Sequence, residues 1–192
     1  MTSPDTPLRL ALIIASTREG RFATTVADWF AAVATERADF DLDVIDLATL
    51  DLPAVWTREP LPAIIEWRER LAQADAFVVV TPEYNHSYPA ALKQAIDLNA
   101  GEFARKPVAF VSYGGLSGGL RAVEHLRTVF AEVRAATIRE TVSFHGTASN
   151  FDADGWPLDP AAGEAALVLL DDLFWWASAL RAGRLVDAAT PA

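Results

Sequence analysis

Thr81-Pro82-Glu83-Tyr84-Asn85-His86-Ser87-Tyr88-Pro89 stands between the apolar run Ala76-Phe77-Val78-Val79-Val80 and the helix-compatible run Ala90-Ala91-Leu92-Lys93-Gln94-Ala95-Ile96-Asp97. Pro82 disfavours helical angles at the residue before it, which predicts that the strand stops at Thr81. Pro89 suits the first turn of a helix, where its missing N–H is not needed. The segment reads as strand, shaped loop, helix. Its polar and aromatic side chains are more than a connecting turn requires, and in a parallel α/β sheet such a loop lies at the carboxyl end of a strand, where ligands bind.

The same alternation extends in both directions. Upstream, residues 8–15 form a short apolar run, as expected of a strand buried on both faces. The loop Ser16-Thr17-Arg18-Glu19-Gly20-Arg21 follows, and a helix starts near Phe22 with Val26, Trp29, Phe30 and Val33 on one face. Residues 42–47 alternate as an outer strand does. Residues 51–62 are irregular, and a helix spans roughly 63–73. Downstream, residues 107–112 form a fourth strand leading into Tyr113-Gly114-Gly115-Leu116-Ser117-Gly118-Gly119. The next helix aligns Val123, Leu126, Phe130 and Val133, and the β-branched run 137–144 is the last strand. After a turn-rich segment, Asp159-Pro160 supplies the cap and first turn of a final helix reaching about Arg184. Residues 1–7 read as a frayed end. Strand and helix alternate throughout, which predicts one α/β domain with a parallel five-stranded sheet between two helical layers.

A chain of 192 residues is long enough to bury a core as a single domain. With no cysteine, it has no thiolate nucleophile, CxxC relay or cysteine-held metal, so redox chemistry would have to come from a bound cofactor. A net charge of −10 argues against a general nucleic-acid surface. Apolar stretches are too short or too interrupted to span a membrane, and no basic segment followed by an apolar one opens the chain. A soluble cytoplasmic protein is the expectation.

The first loop carries Arg18 and Arg21 among hydroxyls at Ser16, Thr17, Thr24 and Thr25, just before a helix. Free N–H groups and the helix dipole favour an anion there, and arginine offers a planar donor fork that matches phosphate. A solvated turn with two surface arginines is the competing reading. The spacing fits neither Gly-Lys-Ser/Thr nor GxGxxG, so a nucleoside triphosphate or a dinucleotide pyrophosphate matches poorly. The glycines at 114, 115, 118 and 119 let backbone N–H groups approach a flat ligand, although a flexible turn would also use them. The loops after strands one, three and four would share one sheet edge. The flavodoxin-like order 2-1-3-4-5 has its switch point between strands one and three, where flavodoxin holds FMN. Phosphate, ribityl chain and flat ring have matching parts here.

The run Ser16-x-Arg18 before a helix resembles the NADPH-dependent FMN reductases, a flavodoxin-like group that includes quinone, azo-dye and chromate reductases. So do Pro82-Glu83-Tyr84-Asn85-x-Ser87-x-Pro89 with Leu92-Lys93, and the two Gly-Gly pairs. The resemblance covers roughly residues 8–145, and Ala15 stands where the family usually has glycine. It implies that Ser16, Arg18, Arg21 and Phe22 hold the FMN phosphate. It also implies that Pro82, Glu83, Tyr84, Asn85 and His86 line the ribityl chain and ring, with Tyr113, Gly114 and Gly115 at the ring's other edge. The implied reaction takes a hydride from NADPH or NADH and passes electrons to a small-molecule acceptor such as a quinone, azo compound, metal oxyanion or free flavin. No catalytic side chain is singled out. A flavodoxin-type electron carrier and a non-catalytic flavin sensor are the rival readings; Arg18 and Arg21 speak against the carrier, whose phosphate loop usually lacks arginine.

His86, His125 and His145 are too dispersed to suggest a metal site, with His125 expected on a helix surface. Glu83 and Asp97 read as a solvated carboxylate and a helix-surface charge rather than an acid/base pair. Leu169, Leu170, Leu173, Phe174, Trp175, Trp176 and Leu180 make the last helix apolar nearly all round, which predicts a covered second face and a homodimer or homotetramer.

Overall fold

In a computed structural model that describes residues 6–56 and 58–189, five parallel strands form one sheet in the order β2-β1-β3-β4-β5. The strands are β1 (Leu8–Ile14), β2 (Phe40–Asp46), β3 (Ala76–Pro82), β4 (Pro107–Gly114) and β5 (Ala136–His145). They alternate with α1 (Ala23–Thr35), α2 (Pro62–Gln73), α3 (Ala90–Asp97), α4 (Leu120–Glu132) and α5 (Ala161–Ala189). This is the flavodoxin-like three-layer arrangement that the alternation predicts. Of the end expected to fray, residues 1–5 lie outside the described residues.

Period-2 alternation explains the layers. Leu8, Leu10, Leu12 and Ile14 of β1 join Ala76, Val78 and Val80 of β3 in one core with α1 and α5. Ala11, Ile13, Phe77 and Val79 point the other way, into a core with α2, α3 and α4. Because both faces of the central strands are covered, their sequences are continuously apolar. The outer strands β2 and β5 have exposed or half-buried positions. In the second core Trp67 of α2 is fully buried and donates its indole N–H to the Ala95 carbonyl of α3 at 2.8 Å, which ties two helices of that layer together.

Three expectations change. β3 does not stop at Thr81 but pairs with β4 as far as Pro82, opposite Tyr113. Pairing with β1 ends at Val80, so the N–H that Pro82 lacks would have faced a side where the ladder is already finished. Pro89 is not in the first turn of α3; it is the extended residue before it, with φ −62° and ψ 139°. The last helix meets its expected cap, with the Ala161 N–H donating to Asp159 Oδ1 at 2.9 Å, but it runs to Ala189 rather than to Arg184.

Candidate functional site

The β1–α1 loop leaves the sheet after the Ala15 N–H donates to the Val80 carbonyl at 2.9 Å. No side chain caps α1 and no acid sits in its first turn, so donors and positive dipole at its start remain uncompensated. Ser16 is fully buried, and its hydroxyl bonds the Tyr84 hydroxyl at 2.7 Å. This contact joins the β1–α1 loop to the turn after β3. The exposed Arg18 places its guanidinium carbon 5.9 Å from the Tyr84 ring centroid and forms no ion pair among the described residues. Arg21 differs: it pairs with Asp46 at the end of β2, while its Nε is buried without a partner among the described residues. The two arginines are thus not equivalent. Arg18 is available to an anion, whereas Arg21 reaches the loop with one end already committed.

The turn after β3 is a two-residue reversal. The Tyr84 N–H donates to the Ser87 carbonyl at 2.8 Å and the Ser87 N–H returns to the Tyr84 carbonyl at 3.0 Å. Asn85 and His86 between them have φ of 50° and 71°, the pattern of a type I′ turn. Asparagine and histidine tolerate positive φ better than branched residues do.

Glu83 is the main departure from expectation. Its side chain is only 6% exposed, and its carboxylate meets Arg121 Nη2 at 2.5 Å. It also accepts from the Ser117 hydroxyl and, at 3.2 Å, from the Arg121 backbone N–H. Burial by itself would raise the carboxyl; the Ser117 and Arg121 donors outweigh it and hold the group below the usual carboxylate range. The solvated-carboxylate reading is therefore corrected: the strand end delivers Glu83 beneath the glycine loop, where Arg121 and Ser117 are waiting. Asp97 stays on the helix surface as expected, paired with Lys93 one turn away at 2.6 Å. His125, exposed on α4, bonds the Ser87 hydroxyl through Nδ1 at 2.9 Å.

The glycine loop is shaped by close approach. A side chain at Gly119, φ 88°, would place its Cβ 2.6 Å from Ser112 Cβ and 2.9 Å from the Tyr113 nitrogen. The carbonyl of Gly118 accepts hydroxyl bonds from Ser112 and Ser143, both at 2.8 Å. At Gly115 the reverse holds: a Cβ would meet no protein atom within 4 Å. Tyr113 is 4% exposed, and Phe22 packs edge-on to both Tyr113 and Phe151, with centroids 6.2 and 5.0 Å away. Burial first, then the neighbouring Tyr84 hydroxyl, raises the Tyr113 phenol above its ordinary range. Tyr113 and Phe22 are thus mainly wall, as is the buried Gly114, while Tyr84, Arg18 and the backbone at Gly115 are better placed to touch a ligand.

These features fit FMN. An uncapped helix start, a free Arg18 and the unpartnered Arg21 Nε suit a phosphate, and the open space over Gly115 suits a flat ring. The sequence profile of the NADPH-dependent FMN reductase family matches residues 8–149. The chain belongs to that family. Family membership makes it an oxidoreductase of the FMN- and NAD(P)H-dependent kind. An NAD(P)H-dependent FMN reductase of Schizosaccharomyces pombe is 36% identical over 134 residues, covering 62% of this chain and 66% of that protein. The chain therefore spans just under two thirds of that relative's length. A quinone reductase of Escherichia coli is 32% identical over 165 residues, covering 82% of this chain and 84% of its own. Among solved structures, the flavoenzyme NAD(P)H:(acceptor) oxidoreductase FerB of Paracoccus denitrificans shares the fold at TM-score 0.75 and 21% identity, over 88% of this chain and 97% of that one.

Ser117, Arg121 and Asp46 partner candidate site residues, Glu83 and Arg21, but do not stand out in the sequence. A signal for Arg121 exists in retrospect. A cation in the first turn of a helix opposes the dipole, so Arg121 two residues after Gly119 called for a carboxylate partner. A cavity of about 450 Å³ beside Thr17, between Leu50 and Leu52 on one side and Ala90 and Gln94 on the other, touches the site only through that threonine.

Proposed function

We propose that the chain holds one FMN at the carboxyl edge of β1, β3 and β4 and uses NAD(P)H to reduce a small acceptor of the quinone class. The observation that carries this reading is the Ser16–Tyr84 bond, which fixes the phosphate loop against the ring-side turn at a helix start that nothing caps. Arg18, Ser16 and the first N–H groups of α1 would bind the phosphate. Tyr84, Asn85 and the backbone at Gly115 would orient the ring, with Tyr113, Gly114, Phe22 and Pro82 behind them. When bound, FMN supplies a two-electron carrier that accepts hydride from nicotinamide and yields it to the acceptor. The protein's contribution is orientation and water exclusion. The names of its relatives support the acceptor class, since a quinone reductase is among them.

Purified protein should show the visible absorption of bound FMN, bleached by NADPH under anaerobic conditions and restored by a quinone. A colourless protein that also fails to take up added FMN would overturn the reading. We further read the chain as a single domain working in the cytoplasm as a homodimer. Supporting the dimer, Phe174, Trp175 and Trp176 leave 36%, 62% and 36% of their surface exposed along α5. No helix among the described residues is long and apolar enough to cross a membrane. Light scattering at micromolar concentration should give at least twice the chain mass; a monodisperse monomer would remove the dimer.

A further inference from the structure

We propose that Arg121 is the positioning residue of the flavin site: from the first turn of α4 it holds the 83–87 turn and the glycine loop in the single arrangement that receives the ring. This inference rests on the FMN reading above.

Two segments that are remote in sequence, 83–86 and 117–121, meet at one buried carboxylate. Glu83 Oε1 faces Arg121 Nη2 at 2.5 Å, and Glu83 Oε2 takes the Ser117 hydroxyl and the Arg121 backbone N–H. The other terminal nitrogen of the same guanidinium, Nη1, reaches His86 Nδ1 at 2.9 Å. Arginine has no acceptor, so in this contact it donates and His86 Nδ1 accepts. One planar fork therefore holds the turn at two points, the strand exit through Glu83 and the second central, positive-φ residue through His86. A local ion pair would need only Glu83. Reaching His86 as well fixes the turn in which Tyr84 bonds Ser16, so the effect of Arg121 passes to the phosphate loop without Arg121 touching a ligand. Lysine cannot do the same, because a single ammonium does not present two divergent, coplanar donors.

The test uses Arg121→Lys, Arg121→Ala and Glu83→Gln in the full-length chain. On the flavin-free protein, hydrogen exchange is read at the Tyr84 and Ser87 amides, whose mutual bonds define the turn, and at Val78 in β3 as an internal control. On the loaded protein, FMN affinity and the visible circular dichroism of the bound ring are read. In both arginine variants the two turn amides should exchange on the order of tenfold faster while Val78 is unchanged, and lysine should not restore them. FMN should bind about tenfold more weakly in Arg121→Lys, with an altered visible dichroism and an unchanged melting temperature. Glu83→Gln should give the same signature, and combining it with Arg121→Lys should add little. Parental exchange at Tyr84 and Ser87 in both arginine variants overturns the proposal. So does parental ring dichroism in Arg121→Lys. If the parent itself takes up no FMN, the cofactor reading falls, and the exchange rates alone still decide whether Arg121 holds the turn.

Discussion

At the amino edge of the sheet, Lys106 is 7% exposed and donates to the carbonyls of Leu71 and Ala72 at 2.7 and 3.0 Å, closing the end of α2. Beside it Arg184 bonds Asp75 at 2.8 Å and the Arg105 carbonyl at 2.8 Å. At the carboxyl edge, α1 begins uncapped, Arg18 has no ion pair among the described residues and Arg21 Nε is buried without a partner. Both edges carry several cations. At one they satisfy helix carbonyls and a carboxylate and hold elements together. At the other, donor capacity is left over, which is what a ligand site needs and what stability alone would remove.

The contrast can be broken hardest at the carboxyl edge, where geometry leaves no slack. Gly119→Val should cost more than about 3 kcal/mol in urea unfolding, because positive φ and collision with the backbone of β4 act together. Parental stability would show that the glycine loop relaxes freely.

A smaller effect is expected at the amino edge. Burial, and then the charge of Arg184, lowers the Lys106 ammonium to about 8. An unfolded chain keeps that proton up to about pH 10.4. Between these values the unfolded state binds more protons, so stability should rise with pH. Tyr113 works the opposite way, since its raised folded value makes stability fall once unfolded tyrosine ionises near pH 10. The rise should therefore be confined to about pH 8–10, amount to roughly 1–3 kcal/mol and vanish in Lys106→Met, as followed by chemical denaturation across that range. FMN affinity should not change in that variant.

Arg18→Ala is the sharpest probe of spare capacity, since it should leave stability within about 0.5 kcal/mol of the parent. FMN should bind about 10- to 100-fold more weakly, while riboflavin, without phosphate, binds both proteins alike. Equal FMN affinity would make Arg18 a solvated surface residue.

Much of this molecule is local in origin. Runs such as 8–14 and 76–80 alternate their neighbours between two covered faces, and helix periods such as Val123, Leu126 and Phe130 can face only a core, so layers and topology follow from short-range pattern and the handedness of crossovers. That Ser16, Arg18 and Tyr84 meet at one sheet edge was legible too, because loops after adjacent parallel strands open on the same side. Tertiary structure decided the pairings. Nothing near Glu83 in sequence says that its carboxylate lies 2.5 Å from Arg121, nor does the sequence around Arg21 name Asp46 on β2. Strand pairing brings Pro82 beside Tyr113 and extends β3 past the point where the proline locally predicts an end. Pattern repeats every two or 3.6 residues and is written along the chain; partners of buried charges are chosen across the sheet edge, by desolvation costs that exist only after the chain has folded.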